Sequence, residues 1–216
     1  MKKGKLIVLY GINNLGKTTQ AKLLVDKINA SGRVAEYIKV HIYDQAPDGP
    51  MVSDYLRGGN PYNLTPREFQ LLAAVNKYHY QSSLKDKLDQ GIIVVAEDYW
   101  ATSVAWGTGA GVDKQFLIKL NEGLIKEDLA FLFDGERFLD STEPGHRHEV
   151  DIDLTNHVRQ VHLELGEEYG WKKINANDSV EAIHKLIWQH VLSVMPDLIG
   201  HPGAEAFNPG FPLSRE

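Results

Sequence analysis

Residues 11 to 18, GINNLGKT, match the pattern G-x-x-x-x-G-K-[ST], and what flanks them leaves few folds open. Before them, Lys5 to Tyr10 form an apolar run without polar alternation, as expected of a central parallel strand buried on both faces. After them, Ala21, Leu24, Val25 and Ile28 recur at helical spacing, and Gly32 can stop that helix. Average residue frequencies make a chance match in a chain of this length about a one-in-a-hundred event. A strand in front and an amphipathic helix behind lower the odds further.

Such a loop has a specific use. Its glycines let the backbone curl until several N–H groups converge on phosphate oxygens at the positive end of a helix. Gly11, Asn14, Leu15, Gly16, Lys17, Thr18 and Thr19 are therefore the expected ATP-binding residues. Lys17 supplies a cation to the β- and γ-phosphates, and the Thr18 hydroxyl is a candidate Mg2+ ligand. The pattern alone leaves open whether the phosphoryl group goes to water, to a protein or to a small molecule.

The rest of the chain alternates strands and helices. Further strands are expected at Ala35 to Tyr43, Ile92 to Ala96, Leu129 to Phe133 and Lys172 to Ala176. Thr65-Pro66-Arg67-Glu68 has capping-box spacing and opens a long helix to about Leu88, closed by Gly91. Helices also fit from about Lys114 and from Leu154 to Leu165, with one helical turn around Val52 to Leu56. Asp178 with Glu181 is the expected cap of a last helix running to about Val194. These elements predict an α/β fold of the P-loop NTPase type, a doubly wound five-stranded parallel sheet with helices on both faces. One kinase-sized domain spans residues 1–195, and Pro196 ends the folded pattern ahead of a Pro/Gly-rich tail, 196–216.

Composition excludes several classes. With 216 residues, 43% hydrophobic and 24% charged, the chain is ordinary for one globular domain. A net charge of -6 argues against a protein held to DNA or RNA by its phosphates. The absence of cysteine removes disulfides, thiolate zinc sites and cysteine nucleophiles. No run approaches a membrane span, and a cytoplasmic protein is the expectation.

Four stretches together resemble the thymidylate kinase family of nucleoside monophosphate kinases. KTTQ follows the loop glycine at Lys17 to Gln20. The family's R-E-P-G-G-T-x-x-G-E-x-I-R lines up with QAPDGPMVSDYLR, Gln45 to Arg57. Its L-x-A-A-D-R-A-Q-H lines up with LLAAVNKYH, Leu71 to His79. Its D-R-Y-x-x-S-S-x-A-Y lines up with EDYWATSVAW, Glu97 to Trp106. The resemblance implies transfer of the γ-phosphoryl group of Mg·ATP to a nucleoside monophosphate, most directly dTMP, with nucleotides as the partners and a homodimer as the assembly. It also implies that Glu97, ending the third strand, works near Mg2+ beside Thr18, so Lys17 and Glu97 are the expected catalytic residues together with Arg147 of the lid.

The acceptor side departs from the family. Arginines that the resemblance implies for the acceptor phosphate, the base and the phosphates are here Gln45, Asn76 and Asp98, the stacking aromatic is Leu72, and the acid of the loop is Asn13. Arg57 is kept, and Thr102 and Trp106 fall at acceptor-facing positions. Putting aspartate for arginine about 4 Å from a phosphate charge is a swing of roughly 8 kcal/mol at an effective dielectric near 20. So Asp98 turns away, binds the metal, or faces an acceptor with no phosphate there. Strand alternation favours the first, since Glu97 and Asp98 would point to opposite faces if the strand continued. A basic residue from elsewhere would then replace the arginine: Lys39, Lys77, Arg57 or Arg147.

A short lid is expected around 135–150, with Arg137 and Arg147 closing over the phosphates. His146 and His148 flank Arg147 without a second ligand cluster, which favours a solvated or phosphate-facing loop over zinc. Two other functions fit the substitutions. A deoxynucleoside kinase would need a base for a neutral hydroxyl. An ATP-binding regulatory module would keep the loop and lose acceptor chemistry. A GTPase is disfavoured because no N-K-x-D guanine signature stands at the expected place.

Overall fold

The computed structural model describes residues 3–138 and 151–198. Five strands form one parallel sheet: β1 (Leu6–Tyr10), β2 (Ala35–Lys39), β3 (Ile93–Glu97), β4 (Leu129–Asp134) and β5 (Lys172–Asn175), in the order β2-β3-β1-β4-β5. Every residue of β1, β3 and β4 is buried, which is why their sequences run apolar without alternation. Among the described residues seven helices connect and cover the sheet: α1 (Lys17–Ala30), α2 (Asp48–Leu56), α3 (Pro66–Asp89), α4 (Trp100–Gly109), α5 (Lys114–Leu120), α6 (Ile152–Glu168) and α7 (Val180–Val194). The main core gathers Leu6 to Tyr10, Ile93 to Ala96 and Phe131 to Phe133 with Leu24, Ile28, Val104, Val158 and Ile187 from the helices. A smaller cluster of Val52, Tyr55, Leu56, Phe69 and Ala73 joins α2 to α3.

Local chemistry accounts for most boundaries. Thr65 and Glu68 exchange both bonds of a capping box, with Pro66 in the first turn, so α3 starts where the spacing predicts. Asp113 and Asp151 cap α5 and α6 with one side-chain bond each, accepting from the Phe116 and Leu154 N–H groups. Four expectations are corrected. The cap of α7 is Ser179, whose Oγ accepts from the Ala182 N–H, while Asp178 is taken by Asn175. α2 is a full helix of 9 residues rather than one turn, because Val52, Tyr55 and Leu56 find apolar partners on α3. β2 stops at Lys39 rather than Tyr43: among the described residues it pairs only with β3, and β3 itself ends at Glu97, opposite Lys39. Pro196 does not end the packing, since a 3₁₀ turn at Pro196–Leu198 places Leu198 in the core.

Strand order fixes where a ligand can sit. The chain leaves β1 toward β2 on one side and later crosses to β4 on the other, so β1 and β3 lie side by side while the connections after them diverge. Crevices at the carboxyl ends of such strands are the binding sites of open parallel sheets. The loop after β1 and the acid pair ending β3 meet there.

Candidate active site

Gly11 to Lys17 wrap around the end of β1. Gly11 has φ 138° and a Cβ there would come within 2.5 Å of the Phe133 carbonyl oxygen, so only glycine fits against β4. Asn14 and Gly16 are left-handed at φ 64° and 76°, and α1 begins at Lys17. The loop thus presents its amides at a helix N-terminus. The Lys17 ammonium donates to the carbonyls of Gly11 and Ile12 at 2.9 and 2.8 Å.

Glu97 comes to the same place from β3. Its Oε2 accepts from the Thr18 hydroxyl at 2.7 Å and from the Tyr37 hydroxyl at 2.6 Å, and its Oε1 lies 3.5 Å from the Lys39 ammonium. Burial pushes this carboxyl up, but Lys17, Lys39 and the two hydroxyls outweigh burial and hold it below its ordinary range. Glu97 is therefore an ionised carboxylate at neutral pH.

Asp98 does not turn away. β3 ends at Glu97, and Asp98 adopts φ 63°, so strand alternation no longer governs where its side chain points. Its Oδ1 lies 3.7 Å from the Lys17 ammonium and accepts from the Thr102 hydroxyl at 3.0 Å. Burial and the neighbouring Glu97 charge raise its pKa against the opposing pull of Lys17 and Lys39. The two acids thus differ in environment, with hydroxyls and two cations around Glu97 and a drier site for Asp98. Lys17 and Lys39 balance the pair in charge.

The other expected acceptor residues divide. Asn76 is fully buried, its amide spent on the backbone of Ile42 and on Asp48, so it cannot touch a ligand. Gln45 donates to Asp48 and to the Asn76 carbonyl. Leu72 packs against the α2–α3 cluster. Arg57, at the end of α2, lies over the Tyr43 ring at 4.6 Å. Trp106 is buried on α4. Asn13 and Thr19 are partly exposed on and just beyond the loop. Sequence reasoning missed Asp48, which is 3% exposed and accepts from Gln45, Asn76 and His79. Burial raises its pKa, but these three bonds prevail and it is lowered. It missed Tyr37 as well, whose alternate position from Lys39 on β2 was a usable signal.

Of the lid, Arg147 and its flanking histidines lie outside the described residues. Arg137 is described: its Nε and Nη2 are buried without hydrogen-bond partners. The next residue docks on the loop, the Phe138 N–H donating to the Asn14 carbonyl at 2.9 Å.

The donor set at Thr18 and Glu97 is all oxygen, one hydroxyl and one carboxylate beside a phosphate-binding loop. That suits a hard cation such as Mg2+, which takes one or two protein oxygens and completes its shell with phosphate and water. Among the described residues no cluster of three acids or histidines could hold a metal by itself. No helix among them is long and apolar enough to cross a membrane.

Known proteins resemble the whole arrangement. The thymidylate kinase family model matches residues 9–187. A thymidylate kinase of Danio rerio is 30% identical over 194 residues, covering 85% of this chain and 88% of its own. One of Plasmodium falciparum is 27% identical, covering 89% and 92%. The solved thymidylate kinase of Candida albicans superposes with a TM-score of 0.73 at 20% identity, over 91% of this chain and 94% of that one, which speaks for the fold. With a match spanning the loop, the β3 acid pair and most of the sheet, the chain belongs to the thymidylate kinase family and is an ATP-dependent nucleotide kinase.

Proposed function

We propose that the chain transfers the γ-phosphoryl group of Mg·ATP to a deoxynucleoside monophosphate, dTMP to dTDP. The observation that carries this reading is the convergence of Lys17, Thr18, Glu97 and Asp98 where β1 and β3 end, in a chain whose relatives are thymidylate kinases. The loop amides and Lys17 hold the donor phosphates, Lys17 exchanging its neutral carbonyl partners for anions. Thr18 and Glu97 would hold Mg2+, which when bound neutralises charge on the β- and γ-phosphates. Lys39 replaces the family arginine, being half exposed with only a loose contact to Glu97. Arg137, its nitrogens unspent beside the loop, covers the phosphates together with Arg147. The acceptor phosphate is already ionised, so positioning matters more than a strong base. Its oxygen forms the bond to the γ-phosphorus as the bridge to the β-phosphate breaks and ADP leaves.

One observation favours a second reading. Asp98 is a buried carboxyl of raised pKa, the kind of group that can take a proton from a nucleoside hydroxyl. ADP release measured across thymidine, dTMP and the other deoxynucleoside monophosphates separates the two. Turnover with dTMP above thymidine supports our reading, and turnover with thymidine alone replaces it. No turnover with any acceptor, with ATP still bound, would instead make the chain an ATP-binding module. Self-association is also proposed, since α3 exposes Leu71 and Val75 one turn apart, and sedimentation tests it.

A further inference from the structure

Glu97 is held by the edge strand β2 as much as by its own. Lys39 stands opposite it in the register of the two strands, and the Val40 N–H donates to the Glu97 carbonyl at 3.0 Å, so the backbone is fixed. The side chain is a separate matter. A glutamate has one more rotatable bond than the aspartate at this place in the family motif, and freezing it costs entropy. A carboxylate that is to meet a cation in a defined place needs a partner that selects one rotamer.

Tyr37 does this. It lies two residues before Lys39, so both side chains rise from the same face of β2. Its ring packs against the main core, and its hydroxyl donates to Glu97 Oε2 at 2.6 Å. A phenol ionises only at about pH 10, so at neutral pH this hydroxyl is a donor. The Thr18 hydroxyl donates to the same oxygen at 2.7 Å. Two short bonds on one oxygen fix the rotation of the carboxylate. They leave Oε1 beside the Lys39 ammonium at 3.5 Å, longer than a tight charged hydrogen bond. Thr18 gives up its proton to this bond and keeps its lone pairs, so its oxygen can still ligate a cation. Charge balance does not call for Tyr37, since Lys17 and Lys39 already match the two acids. What the phenol adds is direction.

We propose that Tyr37 is a positioning residue for Mg2+: its hydroxyl pins Oε2 of Glu97 against Thr18, so that Oε1 is the oxygen offered to the ion. The affinity for the metal then depends on a side chain that does not touch it. The inference rests on the Mg·ATP reading above and adds to it a residue from the edge of the sheet.

The test follows Mn2+, which takes the same oxygen ligands as Mg2+, by electron paramagnetic resonance in the ADP-loaded chain without acceptor. Native protein, Tyr37→Phe, Glu97→Gln and the double variant are compared; phenylalanine keeps the ring that packs on the core. Tyr37→Phe should weaken Mn2+ binding about tenfold or more, with the calorimetric Kd for metal-free ADP within about twofold of native. In the Glu97→Gln background the same change should cost less than about twofold, because the hydroxyl acts through the carboxylate. Equal Mn2+ affinity in the native and Tyr37→Phe chains overturns the proposal. So does a loss of the same size in both backgrounds, or one matched by an equal loss of metal-free ADP binding, as a merely structural tyrosine would give. Metal-dependent ADP binding by the native chain is measured first. Its absence overturns the Mg·ATP reading and this inference with it, whereas its presence with an indifferent Tyr37→Phe overturns the inference alone.

Discussion

Glu97 and Asp98 are adjacent in the chain and share Lys17 and Lys39, yet one carboxyl is held below its ordinary range and the other above. Glu97→Gln keeps the shape but removes the charge, and kcat should fall by about a hundredfold or more, with a weaker response to added Mg2+. Asp98→Asn tests the other acid. Its charge competes with the donor phosphates for Lys17 at 3.7 Å, so the change should lower KM for ATP several-fold. A collapse of kcat instead would mark Asp98 as a base. Lys77 yields a prediction in stability. Burial holds its folded pKa at about 7 against an ordinary 10.5, so between those values the unfolded chain holds a proton that the folded chain lacks. Stability should therefore rise as pH climbs from 7 toward 10, with the whole penalty present below 7. Lys77→Met removes that dependence, and its stability relative to native should be more favourable at pH 7 than at pH 9 by roughly 2–3 kcal/mol in urea unfolding. The loop residues Gly11 to Thr18 were legible because local spacing defines them. Asp98 was misread because alternation holds only while a strand lasts, and the left-handed turn that ends β3 leaves no mark in its residue types.

Helices were readable where caps and periodicity agree, as for α3, and strands where burial on both faces makes a continuous apolar run, as for β1 and β4. α2 was not, because Asp48, Gly49 and Pro50 open it and its stability comes from α3 rather than from its own propensities. The start of α7 shows how two acceptable caps in a row mislead. Asp178 and Ser179 both suit the position, and Asn175 settles the choice by donating to Asp178. Ser179→Ala should therefore cost about 1 kcal/mol of stability. Asp178→Ala should cost less, since only an exposed side-chain bond is lost. The two variants compared by chemical denaturation decide which residue ends the helix. The polar network of Asp48, Gln45, Asn76 and His79 escaped notice for a related reason: its members come from the β2–α2 connection, α2 and α3, and only the fold brings them together.

At the scale of the molecule, the sheet order was the decisive unknown, because it alone places β2 beside β3 and so brings Tyr37 and Lys39 to Glu97. Strand adjacency follows from right-handed crossovers and the switch of direction after β3, not from any one segment's composition. The end of the domain is likewise a property of the whole. Pro196 reads as a terminator, yet Leu198 is fully buried beside α7, and Asp197 accepts from the Arg33 guanidinium at 2.6 Å, fastening the turn to the loop before β2. Burying a leucine side chain contributes about 1.5–3 kcal/mol, and a half-buried ion pair adds up to about 1. A chain cut after Met195 should therefore be less stable than one cut after Leu198 by roughly 2–4 kcal/mol, a shift in Tm of several degrees for a domain of this size. Leu198→Ala in the full chain should reproduce most of that loss, and Asp197→Ala little of it, because cavity formation outweighs a partly screened charge pair. Equal stability of the two truncated chains would place the boundary at Pro196 after all.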